Sequence, residues 1–387
     1  MSIDRRTFVR LAAAAALAPG PLAAAHRSRL RDGAPGVASP GPRRWPGYAD
    51  ALVVDALGSP GAFNVPDAVE GGLAAAALAS ARRSGITAIN VTVGVVGEVP
   101  DPFEESVKDL ARWEREIDRH PEVLARVRRV ADIRRAKQGG QVGLVYGFQD
   151  TVALGADLER MDAFHALGVR VVQLTYNGRN RVGDGSLEPG NAGLSRFGIE
   201  LIERMNELGV LIDLSHCGQR TTAEGIERSA RPVAITHTGC RAVFDHPRNK
   251  RDEELRACAE RGGVVGIYLM PYLNASGPPS AEDVMRHVDH ALRACGEDHV
   301  GIWSDQSIHP IAATPEYYRR VEQEVERRRA LGISAPREDT APFVPDLNDA
   351  RRMELIADLM SARGHPDRVI EKVLGANFVR LFGEVWG

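Results

Sequence analysis

Short apolar runs alternate with longer stretches of helical period along most of this chain. The runs ALVVDAL (51–57), ITAINVTV (86–93), VGLVYGFQ (142–149) and VRVVQLTY (169–176) have strand length and near-continuous apolar character. So do VLIDLSH (210–216), PVAITHT (232–238), GVVGIYLM (263–270) and HVGIWSD (299–305). Between them lie helical patterns: an alanine-rich one near 68–83, a charged amphipathic one near 103–119, another around 157–167, then GIELIERMNELG and AEDVMRHVDHALRACG. Strands that are apolar on both faces belong in a parallel sheet covered by helices. Eight of them with intervening helices predict a (β/α)8 barrel over residues 49–387, closed by C-terminal helices within MELIADLMSARGHPDRVIEKVLGANFVRLFGEVW. A doubly wound open sheet is the runner-up, but no GxGxxG follows the first run.

The C-terminal ends of these strands read Asp55, Thr92, Gln149, Tyr176, His216, His237, Tyr268 and Asp305. Barrel enzymes carry their chemistry at that end, where side chains converge on one mouth. A single histidine closing a buried strand is more often a core residue with a satisfied hydrogen bond than a ligand. Two on consecutive strands, with Asp305 on another, point to a site, because imidazole is the commonest ligand for zinc and similar ions.

The N-terminus adds a different kind of signal. DRRTFVRLAAAAALAPGPLAAA has twin arginines Arg5 and Arg6, an apolar stretch from Leu11 to Ala18, and an Ala23–Ala25 cleavage pattern. Residues 1–25 therefore read as a bacterial signal peptide of the twin-arginine type, and 26–48, rich in Pro, Gly and Arg, as a flexible leader. The expected location is periplasmic or secreted. Net charge is −3 without long single-sign blocks, which argues against nucleic acid or an anionic membrane surface as partner. No segment of the mature chain is long and apolar enough to span a bilayer. The four cysteines are too sparse for a disulfide framework. Cys217 and Cys240 stand close to the two histidines in sequence, but Cys217 should point to the opposite face of its strand. His246 and His309 read as loop residues near the mouth, His309 as a candidate polar contact, and Trp303 as core.

The stretches LGVRVVQLTYNGRN, GLSRFGIELIERMNELGVLIDLSH, PVAITHTGCRAVFDHPRN and RGGVVGI, with weaker matches HVGIWSD and VLGANFVRLFGE, closely resemble the renal (membrane) dipeptidase family of zinc peptidases. The resemblance implies a metal-dependent hydrolase barrel with two zinc ions at its mouth. It assigns His216 and His237 as ligands of one ion and Asp305 as the residue that contacts the metal centre and handles protons. Arg248, in HPRN, becomes the grip on a substrate carboxylate, for which a guanidinium has the right bidentate shape.

The chain departs from that family at the other ion. Typical members end the first strand with a histidine and an aspartate that bind zinc; here Leu57 and Ser59 stand there. A bridging glutamate is replaced by Gln149, and Tyr176 stands where many members have a histidine. A paired centre is therefore not expected. One zinc per chain, on His216 and His237 with Gln149 or Asp305 nearby, is. The expected activity is cleavage of a dipeptide or similar small amide with a free carboxylate, with Asp305 as base and Tyr176 or the metal stabilising the oxyanion. The alternatives are a metal-free binding or maturation protein, and an enzyme of another reaction class acting on a modified peptide at the same mouth. A homodimer is compatible with either.

Overall fold

The computed structural model describes residues 44–61, 72–97 and 99–387. The expected signal peptide and most of the leader lie outside them. The end of that leader is packed: Trp45 is buried, its backbone N–H reaching Asp358 Oδ1 at 2.6 Å and its indole N–H reaching Asp367 Oδ1 at 3.0 Å.

Among the described residues eleven strands are formed: β1 (Val54–Asp55), β2 (Gly58–Ser59), β3 (Ala88–Thr92), β4 (Leu124–Val127), β5 (Val142–Phe148), β6 (Val169–Gln173), β7 (Leu211–Asp213), β8 (Ala234–Thr238), β9 (Val264–Ile267), β10 (Val300–Ile302) and β11 (Gln306–Ser307). The main sheet runs β1-β3-β5-β6-β7-β8-β9-β10, every pair parallel, and β4 adds to β5 beside this path. The eight path strands coincide with the eight apolar runs, and they form a nearly closed parallel barrel. β4 is an addition to the expected set: LARV is only four residues long, and Arg126 interrupts it, with Leu124 and Val127 buried and Ala125 and Arg126 half-buried.

Closure is completed one step beyond the main ladder, where β2 pairs with β11 in parallel. Asp305 N–H donates to the Leu57 carbonyl at 2.9 Å and Ile308 N–H to that of Ser59 at 2.7 Å. Asp55, fully buried, accepts from the Ser304 backbone N–H at 2.8 Å and from the Ser304 hydroxyl. Gly58 makes the seam tight enough to close: a Cβ there would lie 2.5 Å from the Gln306 carbonyl oxygen.

Helix boundaries follow local chemistry. Asp101 caps the helix Pro102–Arg119 by accepting from Glu104 N–H, with proline at its first turn. Ser195 caps Arg196–Leu208, which ends on left-handed Gly209. Ser280 and Asp283 form a capping box for Ala281–Cys295. At the C-terminus, Asn377–Trp386 buries Phe378, Leu381 and Phe382, while the Asn377 amide donates to the carbonyls of Glu297 and Val300. These are the closing helices expected from sequence.

A segment that the apolar pattern does not mark shapes the mouth. The helix Pro315–Ala330 and the turns after it, to about residue 342, fold over the strand ends as a roof. It buries Val321, Val325 and Ile333, and polar contacts fix its edge: the Arg337 guanidinium donates to the carbonyls of Pro271 and Ala275, and Gln306 Nε2 donates to Pro342 O at 2.6 Å. Among the described residues no helix is long and apolar enough to cross a membrane.

Candidate active site

β7 and β8 deliver the two histidines. His237 lies where the β8–β9 register shifts between Ile235 and Thr238, an irregularity of the kind that re-aims a side chain beside an active site. The partner strand carries glycine at this irregularity: a Cβ on Gly266 would meet Thr236 O at 2.0 Å. The imidazoles of His216 and His237 meet edge to face with centroids 4.8 Å apart.

Each ring is oriented by its Nδ1. His237 Nδ1 lies 2.9 Å from Thr236 Oγ1, and the Thr236 hydroxyl donates to Asp213 Oδ2. That hydroxyl must therefore accept from His237, so Nδ1 carries the proton and Nε2 presents its lone pair. Nε2 is buried and has no hydrogen-bond partner. Asp213, buried below the pair, also accepts from Ser215 N–H at 3.0 Å and from the Ser215 hydroxyl. His216 Nδ1 lies 2.6 Å from Asn177 Oδ1. Burial, then the positive charges of Arg248 and Lys250, hold both imidazoles well below their usual pKa, so both are neutral at physiological pH.

A cavity at the mouth is lined by His216, Gln149, Tyr176, Arg248 and Asp305, with Arg328 and Glu338 from the roof. Arg248 is almost fully buried and donates from Nη1 to Ser215 O at 2.8 Å, which points its guanidinium at the mouth. Asp305 has φ = 55°, a left-handed conformation imposed as the chain turns from the barrel into the seam. Burial raises its pKa to about 7, against the pull of Arg248. Tyr176 stacks on His216 with centroids 4.2 Å apart. Its hydroxyl, kept protonated by burial, accepts from Arg328 Nη2 at 3.1 Å.

The structure thus brings together Gln149, Tyr176, His216, His237, Arg248 and Asp305. Other strand-end groups are spent elsewhere. Asp55 holds the seam, Thr92 accepts from Gln149 Nε2 at 2.8 Å, and Tyr268 donates to Asn249. His309 is exposed and bonds Ser80 Oγ at 2.9 Å, away from the mouth, while His246 stacks on Tyr272 and meets Pro336 O. All four cysteines are buried and free; burial pushes the Cys217 thiol up, so it is a packing residue.

Sequence reasoning missed Asn177, Arg328 and Glu338. The Glu338 carboxylate accepts from Arg328 Nε and Nη2, from Tyr272 Oη at 3.2 Å and from Ser334 Oγ at 2.8 Å. The helix sequence PEYYRRVEQEVERRRA reads as a solvated charged face, and nothing in it marks Arg328 as the residue turned inward.

A zinc pair does not fit these residues. Leu57 packs in an apolar cluster with Trp303 and Phe378, and Ser59 Oγ accepts from Gly61 N–H. Among the described residues no group of three or more His, Cys, Asp or Glu could hold a metal ion. What remains is a pair of neutral imidazoles in edge-to-face contact, His216 at the mouth and His237 behind it with an orphaned Nε2.

Comparison with known proteins agrees with this architecture. The sequence profile described as membrane dipeptidase (peptidase family M19) matches residues 59–330. The chain is 28% identical to an uncharacterized protein in the pqqA 5′ region of Klebsiella pneumoniae, over 66% of this chain and 87% of that one. It is 27% identical to the dipeptidase verJ of Clonostachys rogersoniana, over 70% of this chain but only 62% of the fungal protein. An amidohydrolase of Pseudomonas aeruginosa superposes with a TM-score of 0.75 at 30% identity, covering 88% of this chain and 98% of its own. With the profile spanning well over half of its length, the chain belongs to the membrane dipeptidase family, peptidase family M19.

Proposed function

We propose that this protein hydrolyses small peptides or amides that carry a free carboxylate, using a reduced, one-metal version of the family's site. One observation carries the reading: His216 lines a mouth it shares with a buried guanidinium and a carboxyl group, and behind it, edge to face, lies a second neutral imidazole, His237, whose buried Nε2 is unpartnered. Arg248 holds the substrate's terminal carboxylate in a charge-assisted grip. Asp305 takes a proton from the attacking water and returns it to the leaving amine. The Tyr176 hydroxyl, whose oxygen is already bonded by Arg328, directs its own proton to the developing oxyanion. His216 and His237, with the amide oxygen of Gln149, are the residues that would hold a zinc ion, which when bound polarises the scissile carbonyl and acidifies water. The twin-arginine leader supports work in the periplasm or outside the cell.

A second reading, a metal-free binding or maturation protein, is favoured by the cations Arg248, Lys250 and Arg328 around His216, which oppose a divalent ion. Metal analysis of protein purified without chelators, together with a dipeptide hydrolysis panel, separates the two. The first reading expects about one zinc per chain, and loss of both zinc and hydrolysis in His237→Ala. Full activity of His237→Ala on every substrate the parent accepts would overturn it.

A further inference from the structure

Asn177 is buried one residue beyond Tyr176, and its amide spans two parts of the molecule. Nδ2 donates to the carbonyl of Ile333 in the roof at 2.7 Å, and Oδ1 lies 2.6 Å from His216 Nδ1 on the barrel. The roof contact decides the orientation, because a carbonyl oxygen only accepts and so requires the nitrogen end of the amide. The oxygen end then faces His216. It too only accepts, so His216 must carry its proton on Nδ1 and leave Nε2 bare. Were the roof contact absent, the amide could turn over, present its NH2 to His216 and favour the opposite tautomer.

Tyr176 reinforces the same linkage. Its ring lies against His216, and its hydroxyl is bonded by Arg328, which is itself paired with Glu338 of the roof. Ile333 and Glu338 fall beyond residue 330, where the family match ends, so this chain couples its histidine to a segment outside the matched region.

We propose that Asn177 is a positioning residue that sets the tautomer of His216 and holds that setting only while the roof is seated on the barrel. The consequence is that His216 offers its Nε2 lone pair to a ligand or to substrate only when the mouth is covered. Its use in hydrolysis rests on the function proposed above; the tautomer does not.

Long-range 1H–15N correlation spectra of the 15N-histidine-labelled protein read the tautomer directly, with the signals of His216 assigned through a His216→Gln variant. The wild type is expected to show a protonated Nδ1 and a bare Nε2 at His216. Asn177→Ala is expected to lose that preference. Asn177→Asp retains an acceptor for Nδ1 but loses the donor to Ile333, so it should keep the tautomer while releasing the roof. In both variants hydrogen exchange over residues 331–342 should rise by up to about tenfold, the worth of one hydrogen bond. An Nε2-protonated His216 in the wild type overturns the proposal, as does an unchanged tautomer in Asn177→Ala or unchanged roof exchange in Asn177→Asp. Should Asn177→Ala fail to fold, the wild-type spectrum and the Asp variant decide between these outcomes. A wild type with the expected tautomer that hydrolyses no dipeptide would sustain this proposal and remove the proposed function.

Discussion

Replacing Asp55 by asparagine tests how the barrel seam is held. Asp55 is the first strand-end acid and is fully buried, its carboxylate bonded by the Ser304 N–H and hydroxyl. Burial raises its pKa from 3.8 to about 6, and the Ser304 bonds and the nearby Arg352 only partly oppose the rise. A group whose folded pKa lies above its unfolded value stabilises the fold fully below the unfolded pKa, and that contribution is lost as pH rises through the folded one. A gap of about two units at 1.36 kcal/mol per unit amounts to about 3 kcal/mol. Asparagine keeps an oxygen for the Ser304 N–H and has no titration. The stability of Asp55→Asn relative to wild type should therefore climb by about 3 kcal/mol between about pH 3 and pH 8. Urea unfolding of both proteins at matched pH measures this. Other raised acids, such as Asp109, cancel in the difference. A difference that stays flat to within about 1 kcal/mol across that range would refute the idea that the seam buries a titrating carboxylate.

Arg248→Met should lower kcat/KM on substrates with a free carboxylate by roughly 10- to 150-fold, the worth of a charge-assisted hydrogen bond, while zinc content measured by mass spectrometry stays as in the parent. The combined change Leu57→His, Ser59→Asp and Gln149→Glu should raise bound zinc towards two per chain, whereas Gln149→Glu alone should leave it unchanged; because Leu57 sits in an apolar cluster, the triple variant should also melt earlier. Lysines in place of Arg5 and Arg6 should leave the precursor in the cytoplasm, as read by fractionation, and unimpaired export would count against a twin-arginine signal.

The barrel itself is legible in the chain because parallel strands buried on both faces must be apolar throughout, which is a local property of sequence. All eight path strands fall within runs that residue type alone marks out. For the same reason His216, His237 and Asp305 stand out, since a polar group at the end of a buried run is conspicuous. Their assignment as ligands and base draws on the family resemblance, as does that of Arg248. Tertiary structure decides how those groups are used. Asp55 and Tyr268 end strands just as His216 does, yet Asp55 is taken by Ser304 and Tyr268 by Asn249, and neither partner is near in sequence. Arg328 and Glu338 come from a segment whose charge pattern reads as a solvated helix, and only its folding over the mouth turns them inward. The proton on His216 depends on an amide whose orientation is set by the carbonyl of Ile333, 156 residues along the chain. A main-chain carbonyl has no sequence signature, so that constraint exists only once the roof is in place.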